Sequence, residues 1–123
     1  MKINRLPDTE LEVMQALWSC RVPATRPEIE EIIKDTHPMA TTTLLTLLTR
    51  LSDRGFIKIE KVGRSALYTP LVTKEDYLAK QSRRFLDTLC GGNIATFASA
   101  LCSSGLTDEE IKQLRDLLDS DRL

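Results

Sequence analysis

Apolar residues recur along this chain with two different periods, and the change from one to the other is the main structural signal. Leu11, Met14 and Trp18, widened by Val13, Ala16 and Leu17, have the spacing of an amphipathic helix. Asp8 or Thr9 is placed to cap it, and Thr9 with Glu12 has capping-box spacing. A second helix starts in TRPEIEEIIKD. There Thr25 and Glu28 repeat the box, Pro27 falls in the first turn where its missing N–H does no harm, and Ile29, Ile32 and Ile33 face inward. On a wheel of the third helix, Leu44, Leu47, Leu48 and Leu51 share one arc with Leu45 at its margin. The opposite arc holds Thr42, Thr43, Thr46, Thr49, Arg50 and Asp53, and Gly55 supplies a left-handed stop. The period then falls to two: FIKIEKV and SALYTPL read as strands joined through Gly63-Arg64.

Helical spacing returns after the hairpin. Thr73 and Asp76 cap a fourth helix that runs to about Cys90, with Tyr77, Leu78, Phe85, Leu86 and Leu89 apolar, and Gly91-Gly92 stops it. IATFASALC is a short small-residue helix. After the break SSG a last helix begins at Thr107, with Glu110 in capping-box register, and buries Leu106, Ile111, Leu114, Leu117 and Leu118. So short a tail cannot close a core alone, and a second copy of itself is the most economical partner. The fold class predicted is mainly α with a small β-hairpin, divided near residues 71 to 74.

Composition adds limits rather than chemistry. At 123 residues, 41% hydrophobic and 28% charged, the chain has the makeup of a folded protein. No run is long enough to insert in a membrane, and MKINRLPDTE lacks the apolar core of a secretory signal, so the expected location is cytoplasmic. Cys20, Cys90 and Cys102 are widely spaced and odd in number, which suggests neither a disulfide framework nor a zinc site and leaves buried or idle thiols. The single histidine, His37, lies beside Pro38 in a loop. No nucleophile with a base, phosphate loop or metal cluster can be found, so no enzyme, cofactor or metal is expected. The net charge of −1 conceals a local excess: residues 50 to 64 hold Arg50, Arg54, Lys58, Lys61 and Arg64 against Asp53 and Glu60.

Helix, helix, helix, hairpin is the order of a winged helix-turn-helix, whose third helix enters the major groove while the hairpin tip touches flanking backbone. Threonine suits such a helix, since it offers a hydroxyl to base edges and a methyl to thymine. Arg50 and Arg64 suit phosphates, although Arg50 could instead pair with Asp53. Trp18 reads as core, and Tyr68 as packed between hairpin and helices or, alternatively, as a phosphate contact. Winged helices also serve as protein-interaction modules, which is the alternative reading.

The runs LPDTELEVMQALW, TTTLLTLLTRLSDRGFI, GRSALYTPLV and FLDTLCGGN, in this order and spacing over roughly residues 6 to 118, resemble the BlaI/MecI/CopY family of bacterial repressors, also called the penicillinase repressor family. The resemblance implies a homodimeric repressor of double-stranded operator DNA that reads inverted repeats. Residues 1–72 would form the winged-helix DNA-binding domain and residues 73–123 the helical dimerisation domain. The DNA-binding residues so implied are Thr41, Thr42, Thr43, Thr46, Arg50, Lys61, Gly63 and Arg64. The dimerisation residues are Phe85, Leu89, Phe97, Leu101, Ile111, Leu114, Leu117 and Leu118. Three departures from the family pattern stand out. Some relatives carry lysine and arginine where this chain has Thr42 and Leu45. The cysteine-rich tail of the copper-sensing branch is missing, with no cysteine after Cys102. In the β-lactam branch a membrane sensor protease cuts an Asn-Phe bond, and the aligned residues here are Ser99 and Ala100.

Overall fold

The computed structural model describes residues 3–120 and contains six helices and one hairpin. In order these are α1 (Asp8–Ser19), α2 (Arg26–Thr36), α3 (Thr41–Asp53), β1 (Ile57–Val62), β2 (Ser65–Pro70), α4 (Lys74–Thr88), α5 (Ile94–Ser103) and α6 (Asp108–Asp119). The chain forms two compact units, Met1–Lys80 and Gln81–Leu123, so the division between them falls inside α4. Tyr77 is the reason. It is buried, its hydroxyl accepts the backbone N–H of Leu6 at 2.9 Å, and its ring lies 5.8 Å from Trp18 and 5.9 Å from Phe56. The first turns of α4 therefore belong to the amino-terminal core.

That core is built from one stripe on each of the first three helices. Val13, Met14, Ala16 and Leu17 of α1, Ile29 and Ile33 of α2, and Leu44, Leu47, Leu48 and Leu51 of α3 are buried together, with Phe56, Ile57 and Tyr68 from the hairpin. Each of the buried Val, Leu, Ile, Met and Phe side chains contributes about 1.5–3 kcal/mol when removed from water. Trp18 is half-buried at the edge, where its indole N–H donates to the carbonyl of Val72 at 2.9 Å. Thr25 and Glu28 form the expected capping box: Glu28 Oε1 accepts the backbone N–H of Thr25 at 3.0 Å and its hydroxyl at 2.9 Å. These bonds hold the Glu28 carboxyl below its ordinary pKa, the backbone donor first and the hydroxyl second. At its far end α3 stops in a Schellman motif, with Phe56 N–H on Leu51 O, Gly55 N–H on Ser52 O, and Gly55 at φ +80°.

The start of α1 differs from expectation. Neither Asp8 nor Thr9 caps it. The N-cap is Pro7, and no side chain supplies a capping bond. A proline there has no N–H of its own to satisfy, and Asp8 and Glu10 place negative charge in the first turn, where the helix dipole favours it. This earlier start brings Glu10 onto the buried stripe with Val13, Met14 and Leu17, and its side chain is only 2% exposed. Arg54, just past the end of α3, answers it: Nε lies 3.2 Å from Oε2 and donates to Oε1 at 3.4 Å. Oε2 accepts no aligned hydrogen bond and is balanced by charge alone.

β1 and β2 pair antiparallel from Ile57↔Pro70 to Val62↔Ser65, which leaves Gly63 and Arg64 as the two-residue tip. Ala24, in the loop before α2, bridges to Tyr68 with bonds of 3.0 and 2.8 Å and adds a third rung to the hairpin.

In the carboxy-terminal unit, caps again open the helices. Asn93 accepts the N–H of Thr96 at 3.0 Å for α5, and Thr107 and Glu110 form a reciprocal box for α6. Phe85 and Phe97 meet edge to face at 5.5 Å, and Leu86 and Cys90 are buried. The last helix does not bury its stripe within one chain: Leu106 and Ile111 are half-buried, while Leu114, Leu117 and Leu118 stay exposed. Two short helices offer too little facing surface to cover them.

The Glu10–Arg54 pair makes a test of the core. Arg54→Ala strands a buried carboxylate, and urea unfolding should show a loss of about 2 kcal/mol. Adding Glu10→Gln to that variant should recover part of it.

Candidate nucleic-acid interface

Burial of the leucine arc turns the remaining arc of α3 outward, and Thr41, Thr42, Thr43, Thr46, Thr49, Arg50 and Asp53 are all exposed. Their hydroxyls are in different states. Thr41, at the first position of the helix, donates to Glu30 Oε1 of α2 at 3.1 Å, and the same oxygen takes Arg26 Nη1 at 3.0 Å. Thr46 donates to the carbonyl of Thr42 and Thr49 to that of Leu45, both at 2.9 Å. The hydroxyls of Thr42 and Thr43 make no hydrogen bond among the described residues.

The local positive charge is less uniform than a count suggests. Arg54 is committed to Glu10, and Lys58 lies 3.4 Å from Glu60, two residues along the same strand. Arg50, Lys61 and Arg64 form no ion pair among the described residues, and Arg50 does not pair with Asp53. All three are exposed. They stand at the last turn of α3, near the end of β1 and at the hairpin tip. Gly63 reaches the tip at φ +64°, with open space where a Cβ would stand. Tyr68 takes the packed alternative: it is buried, and burial pushes its phenol pKa up. Exposed acids Glu28, Glu31 and Asp35 lie on α2, whereas Arg50, Lys61 and Arg64 lie on α3 and the hairpin.

The predicted dimerisation residues lie on α4, α5 and α6, except Leu89, which follows the end of α4. Phe97, Leu101 and Ile111 are half-buried, and Phe85, Leu89, Leu114, Leu117 and Leu118 are exposed, Leu89 at 72%. Ser99 and Ala100 lie exposed in the middle of α5. Among the thiols, Cys90 is buried, Cys20 half-buried and Cys102 exposed; desolvation, followed by the charge of Glu28, raises the Cys20 pKa. No group of three His, Cys, Asp or Glu residues is disposed to hold a metal among the described residues. There is likewise no helix among them long and apolar enough to cross a membrane.

A family model described as penicillinase repressor matches residues 6–120. The chain belongs to the penicillinase repressor family. It is 33% identical over 119 residues to the penicillinase repressor of Bacillus licheniformis, covering 96% of this chain and 92% of that protein. It is 32% identical over 120 residues to the methicillin resistance regulatory protein MecI of Staphylococcus aureus, covering 95% of each. Among solved structures, the DNA-binding domain of the repressor BlaI superposes with a TM-score of 0.53 at 33% identity, covering 62% of this chain and 92% of that one. The monomeric form of Bacillus licheniformis BlaI, in complex with the blaP half-operator, superposes with a TM-score of 0.51 at the same identity and coverage. The amino-terminal unit is thus a winged helix, and the family consists of transcriptional repressors, not enzymes.

Sequence reasoning missed Glu10 and the Arg26–Glu30–Thr41 chain. Only the i, i+4 spacing of Arg26 and Glu30 carried a local signal. Gly63 provides the test of the tip. Gly63→Ala meets no atom within 4 Å, so its cost is conformational, and thermal unfolding should report about 1 kcal/mol of destabilisation.

Proposed function

We propose that this protein is a dimeric, sequence-specific repressor that binds double-stranded operator DNA as an inverted repeat. The observation that carries it is the outward arc of α3: a run of exposed threonines flanked by Arg50, Lys61 and Arg64, three cations without a carboxylate partner among the described residues. In this account Thr41, Thr42, Thr43 and Thr46 enter the major groove, and Arg50, Lys61 and Arg64 meet phosphates on either side. Gly63 lets the hairpin tip turn close to the backbone of the duplex. The solved complex of BlaI with a half-operator supports DNA as the partner.

Dimerisation is assigned to residues 73–123, or more narrowly to the unit after Lys80. The exposed stripe Leu114, Leu117 and Leu118, with Phe85, Leu89, Phe97, Leu101 and Ile111, offers an apolar surface that a second copy would cover. Two half-sites one helical turn or a small multiple apart would then be held together, and binding energy would be shared between them. Relief of repression by a membrane sensor protease at Ser99–Ala100 requires α5 to unwind, because that bond lies in mid-helix. A cut there separates Phe97 from Leu101 and divides the apolar surface. Neither residue matches the Asn-Phe bond cut in the β-lactam branch, so a protease that opens this chain must accept smaller side chains.

Two experiments test the proposal. The full chain is mixed with sheared genomic DNA from its source, bound fragments are recovered, and affinity for a recovered duplex is followed against salt. The logarithmic slope should be steep, and Arg50→Ala and Arg64→Ala should each flatten it by about 1 per subunit. A flat slope, or two variants with undiminished binding, points to a protein-interaction module instead. For the dimer, Leu114→Asp with Leu117→Asp should sediment as a monomer and bind the duplex at least tenfold more weakly; a variant that still sediments as a dimer refutes this placement of the interface.

A further inference from the structure

The face that the proposed function turns toward DNA carries two kinds of chemistry. Thr46 and Thr49 have their hydroxyls folded back onto the carbonyls of Thr42 and Leu45 at 2.9 Å. A hydroxyl held in this way has no proton left for a base. Such a hydroxyl can accept but no longer donate, and the other substituent on the threonine Cβ, a methyl, gives these positions an apolar outward contact. Leu45 adjoins them: it is 40% exposed, next to Thr46 and one turn before Thr49. By contrast, Thr42 and Thr43 keep hydroxyls without a partner among the described residues. Thr42 and Thr43 in the first turn can donate as well as accept hydrogen bonds, whereas Leu45, Thr46 and Thr49 beyond it present methyl groups and no free donor.

We infer that the stretch of α3 from Leu45 to Thr49 reads thymine, with Leu45 and the γ-methyls of Thr46 and Thr49 packed against thymine C5 methyls in the major groove. Thr42 and Thr43 supply the hydrogen bonds to neighbouring base edges. The inference rests on the DNA-binding reading and adds to it the identity of a base and a division of labour along one helix. The thymine methyl is the one apolar group that a base pair displays in that groove, and threonine and aliphatic side chains are suited to it. Such a contact carries no charge, so it contributes selectivity without steepening the salt dependence that Arg50 and Arg64 produce.

The test uses a duplex recovered from source genomic DNA and synthesised in two forms, one with thymine and one with uracil in its place. The two differ only in C5 methyls. The full wild-type chain should bind the uracil form about tenfold more weakly over the two half-sites, with the same salt slope. Thr46→Ser removes the methyl and keeps the hydroxyl, and should shrink the thymine-to-uracil ratio. Thr46→Val keeps a methyl and removes the hydroxyl, and should preserve the ratio whatever its overall affinity. Position 46 is exposed, and circular dichroism checks that both variants keep their helix content. Equal wild-type affinity for the two duplexes overturns the inference. So does a ratio that collapses in Thr46→Val and survives in Thr46→Ser, which would assign reading to the hydroxyl. Failure to prefer the recovered duplex over a scrambled one overturns the operator reading itself, and this inference with it.

Discussion

Burial of four leucines on α3 is the constraint from which the rest follows. Leu44, Leu47, Leu48 and Leu51 are all within 5% of complete burial, and a helix has only one orientation that hides that arc. The threonines and Arg50 are therefore exposed by consequence. α1 and β1 supply the opposing surfaces, and the Schellman turn at Gly55 sends the chain directly into β1. The leucine core and the exposed threonine face are opposite sides of the same thirteen residues, so a change that rotates the helix to improve packing would also move every group on the outer face.

Electrostatics then sorts the cations of this region by what they can do. Arg54 serves the fold, since the buried carboxylate of Glu10 would otherwise stand uncompensated in a medium of low dielectric. Lys58 is partly neutralised by Glu60. Arg50, Lys61 and Arg64 are left with their charge available to solvent, while α2 exposes Glu28, Glu31 and Asp35. A chain with a net charge of −1 can thus keep a small cationic surface.

Features written in local spacing were legible in the sequence. The leucine arc, the hairpin with its Gly63-Arg64 tip, and the caps at Thr25, Thr73 and Thr107 all depend on residues within a few positions of each other, and the structure reproduces them. What failed depended on distant partners. Glu10 carried no signal, because its partner Arg54 lies 44 positions away. The attachment of α4's first turns to the amino-terminal core was not written locally, because Tyr77 returns to Leu6, Trp18 and Phe56. The cap of α1 was misassigned because Pro7, with no side-chain acceptor, leaves no capping signal to read. On the interface, the wheel located the threonines but could not tell hydroxyls that are free from those turned back on the helix.

The central claim is that the outer arc of α3 and the hairpin tip form the surface that meets DNA. The most direct measurement is a titration of the isotope-labelled full chain with a duplex recovered from source genomic DNA, followed by backbone amide chemical shifts. The account predicts the largest changes at Thr42, Thr43, Thr46, Arg50, Gly63 and Arg64, with the acidic surface of α2 little affected. Changes centred on α2 or on α5 and α6, with α3 unmoved, would contradict it.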